Sequence, residues 1–169
     1  MTSTAYILLG SNLGDRETFL SSAMVMIEEI PGLKLCGCSS VYSSKAQQMA
    51  CGTPSFLNQA IKVETKLRPL ELLMALEKIE QALGRDDKGE NLSRKIDLDI
   101  LLYDSEIVNT KRLTIPHPEL LNRAFALVPV IEIDPTLVHP LTDKRLNDYV
   151  NEEDFELVRE KEENGPVIC

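Results

Sequence analysis

The stretch from Pro69 to Gly84 constrains this chain more than any other. Leu72, Leu76, Ile79 and Leu83 recur at steps of four, three and four residues, with Leu73 beside them, so a helix here carries one apolar stripe. Pro69 suits the first helical position, where a missing N–H costs nothing, and Gly84 suits the stop. A helix with one apolar side must bury it against a second layer. The flanking segments supply that layer. Tyr6-Ile7-Leu8-Leu9 is a short apolar run closed by Gly10, residues 33–42 and 56–65 carry strand-like patterns, and Ile96 to Tyr103 follows a polar loop. A second helix starts after Asp15, a suitable cap, and places Leu20, Ala23, Met24, Ile27 and Ile30 at helical spacing until Pro31-Gly32.

The resulting order is strand, helix, strand, strand, helix, strand. It predicts an α+β fold, a ferredoxin-like βαββαβ antiparallel sheet with both helices on one face. The other face is left for ligands, extra helices or a lid. Ser43 to Ser55 reads as a long loop, residues 106–114 as a small added hairpin, and residues 119–133 as a partly helical addition that Pro129 breaks or kinks.

With 169 residues, 43% of them hydrophobic, the chain is long enough for one self-sufficient core. The expected division is a single domain over residues 1–150 and an acidic extension over 151–169. Between residues 151 and 163 seven acids face Arg159 and Lys161, a net of −5, which leaves −4 of the total −9 for residues 1–150. The extension reads as a solvated, frayed tail. A net charge of −9 argues against general nucleic-acid binding, which rests on cations displacing counterions from phosphate. No run approaches the roughly 20 apolar residues of a membrane span, and Met1-Thr2-Ser3-Thr4 has no basic, then apolar, leader pattern, so a cytoplasmic protein is expected. Cys36, Cys38, Cys51 and Cys169 lack zinc-site spacing and are expected to be reduced; Cys36 and Cys38, two apart in a strand, would share a face.

The segment Arg94-Lys95-Ile96-Asp97-Leu98-Asp99-Ile100 carries the chemistry. In a strand Ile96, Leu98 and Ile100 point one way and Asp97 and Asp99 the other. Two aspartates on one strand face, about 7 Å apart by the strand rise, repel each other and are poorly suited to a strand. Magnesium compensates such a pair well, since it is commonly held by one or two carboxylates while water and substrate phosphates fill its other positions. Arg94 adds a guanidinium fork suited to phosphate oxygens. On spacing alone, a solvent-facing edge strand with merely soluble aspartates fits as well.

Asp97-Leu98-Asp99-Ile100-Leu101 behind Arg94 resembles the signature of the 6-hydroxymethyl-7,8-dihydropterin pyrophosphokinases. Further pieces agree in order: Gly10-Ser11-Asn12-Leu13-Gly14, Phe56-Leu57-Asn58-Gln59-Ala60, Gly84-Arg85, Leu113-Thr114-Ile115-Pro116-His117 and Asn122-Arg123-Ala124-Phe125. The resemblance implies attack of the pterin's hydroxymethyl oxygen on the β-phosphorus of ATP, with AMP leaving, as a step in folate synthesis. It implies two Mg2+ ions held by Asp97 and Asp99, and catalytic roles for those two residues with Arg94 and Arg85. It implies that Glu80, Arg85, Lys88, Arg94, His117 and Arg123 meet ATP, and that Asn58, Phe56, Phe125 and Asp97 meet the pterin. Taken singly, His117 fits an ordinary loop, the phenylalanines fit a core, Asn58 a turn and Arg123 the surface.

The chain departs from the family between the matching arginines. Asp86, Asp87 and Glu90 stand where a basic, tryptophan-containing lid is usual, with Lys88 the main remaining cation, and the chain has no tryptophan. Other functions on the same scaffold are a non-catalytic ligand-binding module, which needs no paired aspartates, and a phosphotransferase releasing ADP. An RNA-binding sheet would need exposed aromatics in a basic surface, which these strands do not offer.

Overall fold

A computed structural model describes residues 1–11, 16–44, 56–84, 96–151 and 160–161. The strands are β1 (Ser3–Ser11), β2 (Leu33–Cys38), β3 (Tyr42–Ser44), β4 (Phe56–Thr65), β5 (Asp97–Tyr103), β6 (Val108–Asn109), β7 (Thr114–Ile115) and β8 (Glu160–Lys161). The helices are α1 (Arg16–Glu28), α2 (Pro69–Ala82) and α3 (Ala124–Ile133). The main sheet runs β5-β1-β4-β3-β8, with β2 on the same edge of β4 as β3. Every pairing in it is antiparallel. This is the expected ferredoxin-like arrangement.

Alternation along the central strands separates two cores. Ala5, Ile7 and Leu9 of β1, Leu57, Ile61 and Val63 of β4, and Leu98 and Ile100 of β5 meet Leu20, Ile27, Leu72, Leu76 and Ile79 from α1 and α2. Tyr6 and Leu8 of β1 and Ala60 of β4 point the other way, onto Ala126, Leu127 and Val130 of α3. The second face is therefore covered by an added helix, which makes three layers. Burying one leucine such as Leu72 or Leu76 stabilises the fold by about 1.5–3 kcal/mol.

Local sequence explains the ends. Pro69 opens α2, and Glu71 reaches back to accept the Arg68 N–H at 3.4 Å. Gly84 follows α2 at φ 129 and Gly32 precedes β2 at φ 79, conformations that a side chain disfavours. The β6–β7 hairpin forms as expected, and Arg112 ties it to α2 through Glu77 at 2.8 Å.

Five expectations change. The strand expected over residues 33–42 ends at Cys38, where the buried Ser39 hydroxyl accepts the Ala60 N–H at 2.9 Å in place of a regular ladder bond. A second strand from Tyr42 takes in Ser43 and Ser44, two residues of the expected loop; residues 45–55 of that loop lie outside the described residues. Of the break or kink expected at Pro129, the break does not occur, since α3 runs on to Ile133. A bulge between Leu35 and Gly37 gives Cys36 and Cys38 different surroundings: Cys36 is an exposed free thiol, while Cys38 packs on the first core. Cys38 is disulfide-bonded, so the reduced state does not hold there. Lastly, the acidic extension is not wholly a frayed tail, since Lys161 of β8 pairs with Tyr42 at the sheet edge.

Candidate active site

The site begins on β5. Leu98 and Ile100 are buried in the first core, so Asp97 and Asp99, both half-buried, project from the opposite surface of the sheet. A bulge opposite Tyr6 and Ile7 then leaves Leu101 without a β1 partner, and Leu101 and Leu102 both turn onto the α3 side. Bulges of this kind re-aim side chains next to functional positions.

Register carries the aspartates across the sheet. Asp97 lies beside Gly10, Gly10 beside Asn58, and Asn58 beside Tyr42, one row over four strands. Asn58 is buried, and its Oδ1 lies 3.3 Å from where a Cβ on Gly10 would sit, so only glycine leaves that amide undisturbed. Phe56, half-buried and two residues before Asn58, shares its face.

The chain then brings a second group of side chains to β5. Leu113 and Ile115 belong to the first core and Leu120 to the second, so the backbone between them passes around the outer edge of β5. His117 sits at this crossing, its N–H donating to the Leu101 carbonyl at 3.0 Å. His117 Nδ1 accepts the Glu119 N–H at 3.1 Å, which puts the proton of the neutral ring on Nε2. Burial holds the His117 pKa below the ordinary 6.5; the Asp99 and Glu119 charges oppose that shift and Arg123 reinforces it. Asp99, His117 and Arg123 are thus close enough to feel one another. Arg123 stands at the N-terminus of α3 with its guanidinium 5.6 Å from the centre of the Phe125 ring, and Phe125 leans on the second core.

Asp97, Asp99, His117, Arg123, Phe125, Asn58 and Phe56 therefore all lie on the α3 side of the sheet or at its β5 edge. Glu80 does not join them directly: it is buried on α2, in the layer across the sheet. Arg85, Lys88, Arg94, the acidic lid segment and the Asp15 cap lie outside the described residues. Three residues that sequence patterns did not single out stand next to the row. Tyr42 is buried beside Asn58 and donates its hydroxyl to Glu132 of α3, which also accepts from Ser40. Nothing in the sequence links positions 90 residues apart.

Residues 6–135 match the family described as 7,8-dihydro-6-hydroxymethylpterin-pyrophosphokinase. The chain belongs to this family. As a member of the pyrophosphokinase family, it is 40% identical over 146 residues to the 2-amino-4-hydroxy-6-hydroxymethyldihydropteridine pyrophosphokinase of Aquifex aeolicus, covering 86% of this chain and 89% of that protein. It is 43% identical over 137 residues to the protein of that name from Haemophilus influenzae, covering 81% and 85% of the two chains. Among solved structures, the HPPK-DHPS of Plasmodium falciparum superposes with a TM-score of 0.73 at 14% identity, over 95% of this chain. This chain spans 46% of that one, and the likeness is one of fold. The match to the family ends just past α3, before the acidic extension and β8.

The donors also suit the metal expected for the family's chemistry. Asp97 and Asp99 are hard oxygen donors on one strand face, half open to solvent. Among the described residues no group of three or more ligating side chains forms a closed metal cage. Magnesium does not ask for one, because it keeps waters and takes substrate phosphates.

Proposed function

We propose that this chain transfers pyrophosphate from ATP to the hydroxymethyl group of 6-hydroxymethyl-7,8-dihydropterin, releasing AMP, in the cytoplasmic synthesis of folate. The observation that carries the reading is the pair Asp97 and Asp99 on one sheet face, with Asn58 in the same row and His117 and Arg123 at the β5 edge.

The roles follow from the chemistry of each group. Asn58 offers both an acceptor and donors to the edge of the pterin ring, and Phe56 and Phe125 offer aromatic faces for stacking. Arg123 and the Nε2–H of His117 donate to ATP phosphate oxygens; the Nδ1 contact to Glu119 keeps that donor in place when the ring is neutral. Arg85, Lys88 and Arg94 join the phosphate contacts, and Glu80 the nucleotide side, on the family pattern. The bond formed joins the hydroxymethyl oxygen to the β-phosphorus; the bond broken joins that phosphorus to the oxygen that leaves with AMP. The hydroxyl proton passes to Asp97 or to solvent. Asp97 and Asp99 would hold two Mg2+ ions, which supply charge neutralisation of the triphosphate and polarisation of the attacked phosphorus.

Incubating the protein with ATP, MgCl2 and the hydroxymethyl pterin and separating the nucleotides tests this directly. AMP formed in step with the pterin diphosphate is the expected result. ADP would reassign the chain to a different phosphotransfer, and no nucleotide product at all would make it a binding module.

A further inference from the structure

We propose that Glu132 is a positioning residue for the pterin side of this site, acting through Tyr42 and Ser40 to hold β3 in place beside Asn58. The inference rests on the pterin reading above and adds a residue that contacts neither substrate.

Glu132 is unusual for its place. It lies in the last turn of α3, where an acid opposes the helix dipole, directly after the buried run Ala126–Ile131. Three donors compensate. The Ser40 N–H lies 3.1 Å from each carboxylate oxygen, the Ser40 hydroxyl donates at 2.6 Å, and the Tyr42 hydroxyl donates to the second oxygen. The two Ser40 donors lie in the short connection between β2 and β3 and the third is on Tyr42, the first residue of β3, about 90 residues away in the chain. Glu132 itself is exposed, so its charge keeps contact with water while it binds that connection.

What the carboxylate holds is a weak element. Among the described residues β3 has three residues and pairs with β4 at Tyr42 to Asn58, Ser43 to Leu57 and Ser44 to Phe56. A strand this short has little stability of its own. Among the described residues it is also supported by the packing of Tyr42 on Val128 and by a bridge to Lys161. Two of its three partners, Asn58 and Phe56, are the residues assigned to the pterin. The groups assigned to ATP hang elsewhere: Arg123 is nine residues before Glu132 on α3, about 13 Å along the helix axis, and His117 is fixed to β5. Loosening β3 should therefore weaken pterin binding and spare ATP.

The test compares wild type with Tyr42→Phe and Glu132→Ala, measuring kcat, the Michaelis constant for each substrate, and pterin binding by quenching of the pterin's own fluorescence. A lost hydrogen bond to a charged group corresponds to roughly a tenfold change. Each variant is expected to raise the pterin KM and Kd about five- to tenfold, with the ATP KM within about twofold. The double variant should be no worse than Glu132→Ala, because in Glu132→Ala the Tyr42 hydroxyl has already lost its acceptor. Equal rises for ATP and pterin would mark Glu132 as a general stabilising residue and overturn the proposal, as would pterin constants within twofold of wild type. If Glu132→Ala fails to fold, Ser40→Ala removes a single donor and is expected to raise the pterin KM about twofold, with no rise overturning the proposal. Wild type that binds the pterin without forming AMP refutes the assigned reaction but leaves the Kd comparison decisive for Glu132; wild type that does neither refutes both.

Discussion

Replacing Gly10 with alanine should separate substrate binding from stability in a single step. Gly10 lies between Asp97 and Asn58 in the sheet, and its φ is one that an ordinary residue accepts, so the backbone itself tolerates alanine. The added methyl would stand 3.3 Å from Asn58 Oδ1, tighter than most such contacts, and the buried amide must yield by a few tenths of an ångström. Such a shift misaligns one hydrogen bond to the pterin edge. At about 0.5–1.5 kcal/mol per bond, the pterin KM should rise roughly two- to tenfold. Stability should move little or slightly upward, because alanine restricts the unfolded chain by about 0.4–1 kcal/mol. Steady-state AMP formation at saturating ATP reads the first quantity and a urea titration the second. A variant with unchanged pterin KM and clearly lowered stability would show that the strain is taken up by the fold rather than by Asn58, and would refute the argument.

Asp97→Asn and Asp99→Asn should each lower AMP formation by about a hundredfold or more, as loss of electrostatic stabilisation at a reacting phosphate does. Thermal stability should hold or rise in both, since a like-charge pair is relieved, and chelating Mg2+ in wild type should abolish turnover to the same background. Either variant retaining most of its turnover would remove the aspartates from the chemistry. Burial holds the His139 pKa below its ordinary 6.5, and its Nδ1 accepts the Leu141 N–H at 3.2 Å. The unfolded chain then takes up a proton first, so the stability His139 provides is complete above pH 6.5 and is lost as pH falls through the depressed folded value. His117 acts in the same sense. Urea midpoints should fall between pH 7.5 and 5.5, less steeply in His139→Gln; a flat or rising midpoint would contradict the burial argument.

Local patterns located most of the architecture. The stripe from Leu72 to Leu83 and the alternation of Ile96, Leu98 and Ile100 are statements about one element each, and such statements need only a period and a rough inside and outside. The aspartate pair was legible for the same reason: strand geometry alone sends Asp97 and Asp99 to one side. The interruption at Ser39, the continuity of α3 through Pro129 and the attachment of β8 were not legible. Each depends on a hydrogen-bonding or packing partner that arrives from a distant part of the chain, as when Ser39 receives the Ala60 N–H.

Site assembly divides along the same line. The residue types and order from Gly10 to Phe125 were readable as a family pattern, and they are enough to state which side chains the chemistry requires. Which of them meet was decided by folding. The row Asp97, Gly10, Asn58, Tyr42 exists only because β1 pairs with both β5 and β4 in one register. His117 reaches Asp99 only because the backbone rounds the edge of β5, and Glu132 reaches Tyr42 only because α3 packs on the second face. Sequence by itself determined the periodic elements, the acids of β5 and the family. Tertiary structure alone determined contacts between elements, because register and layer packing are settled by many distant residues burying apolar surface together.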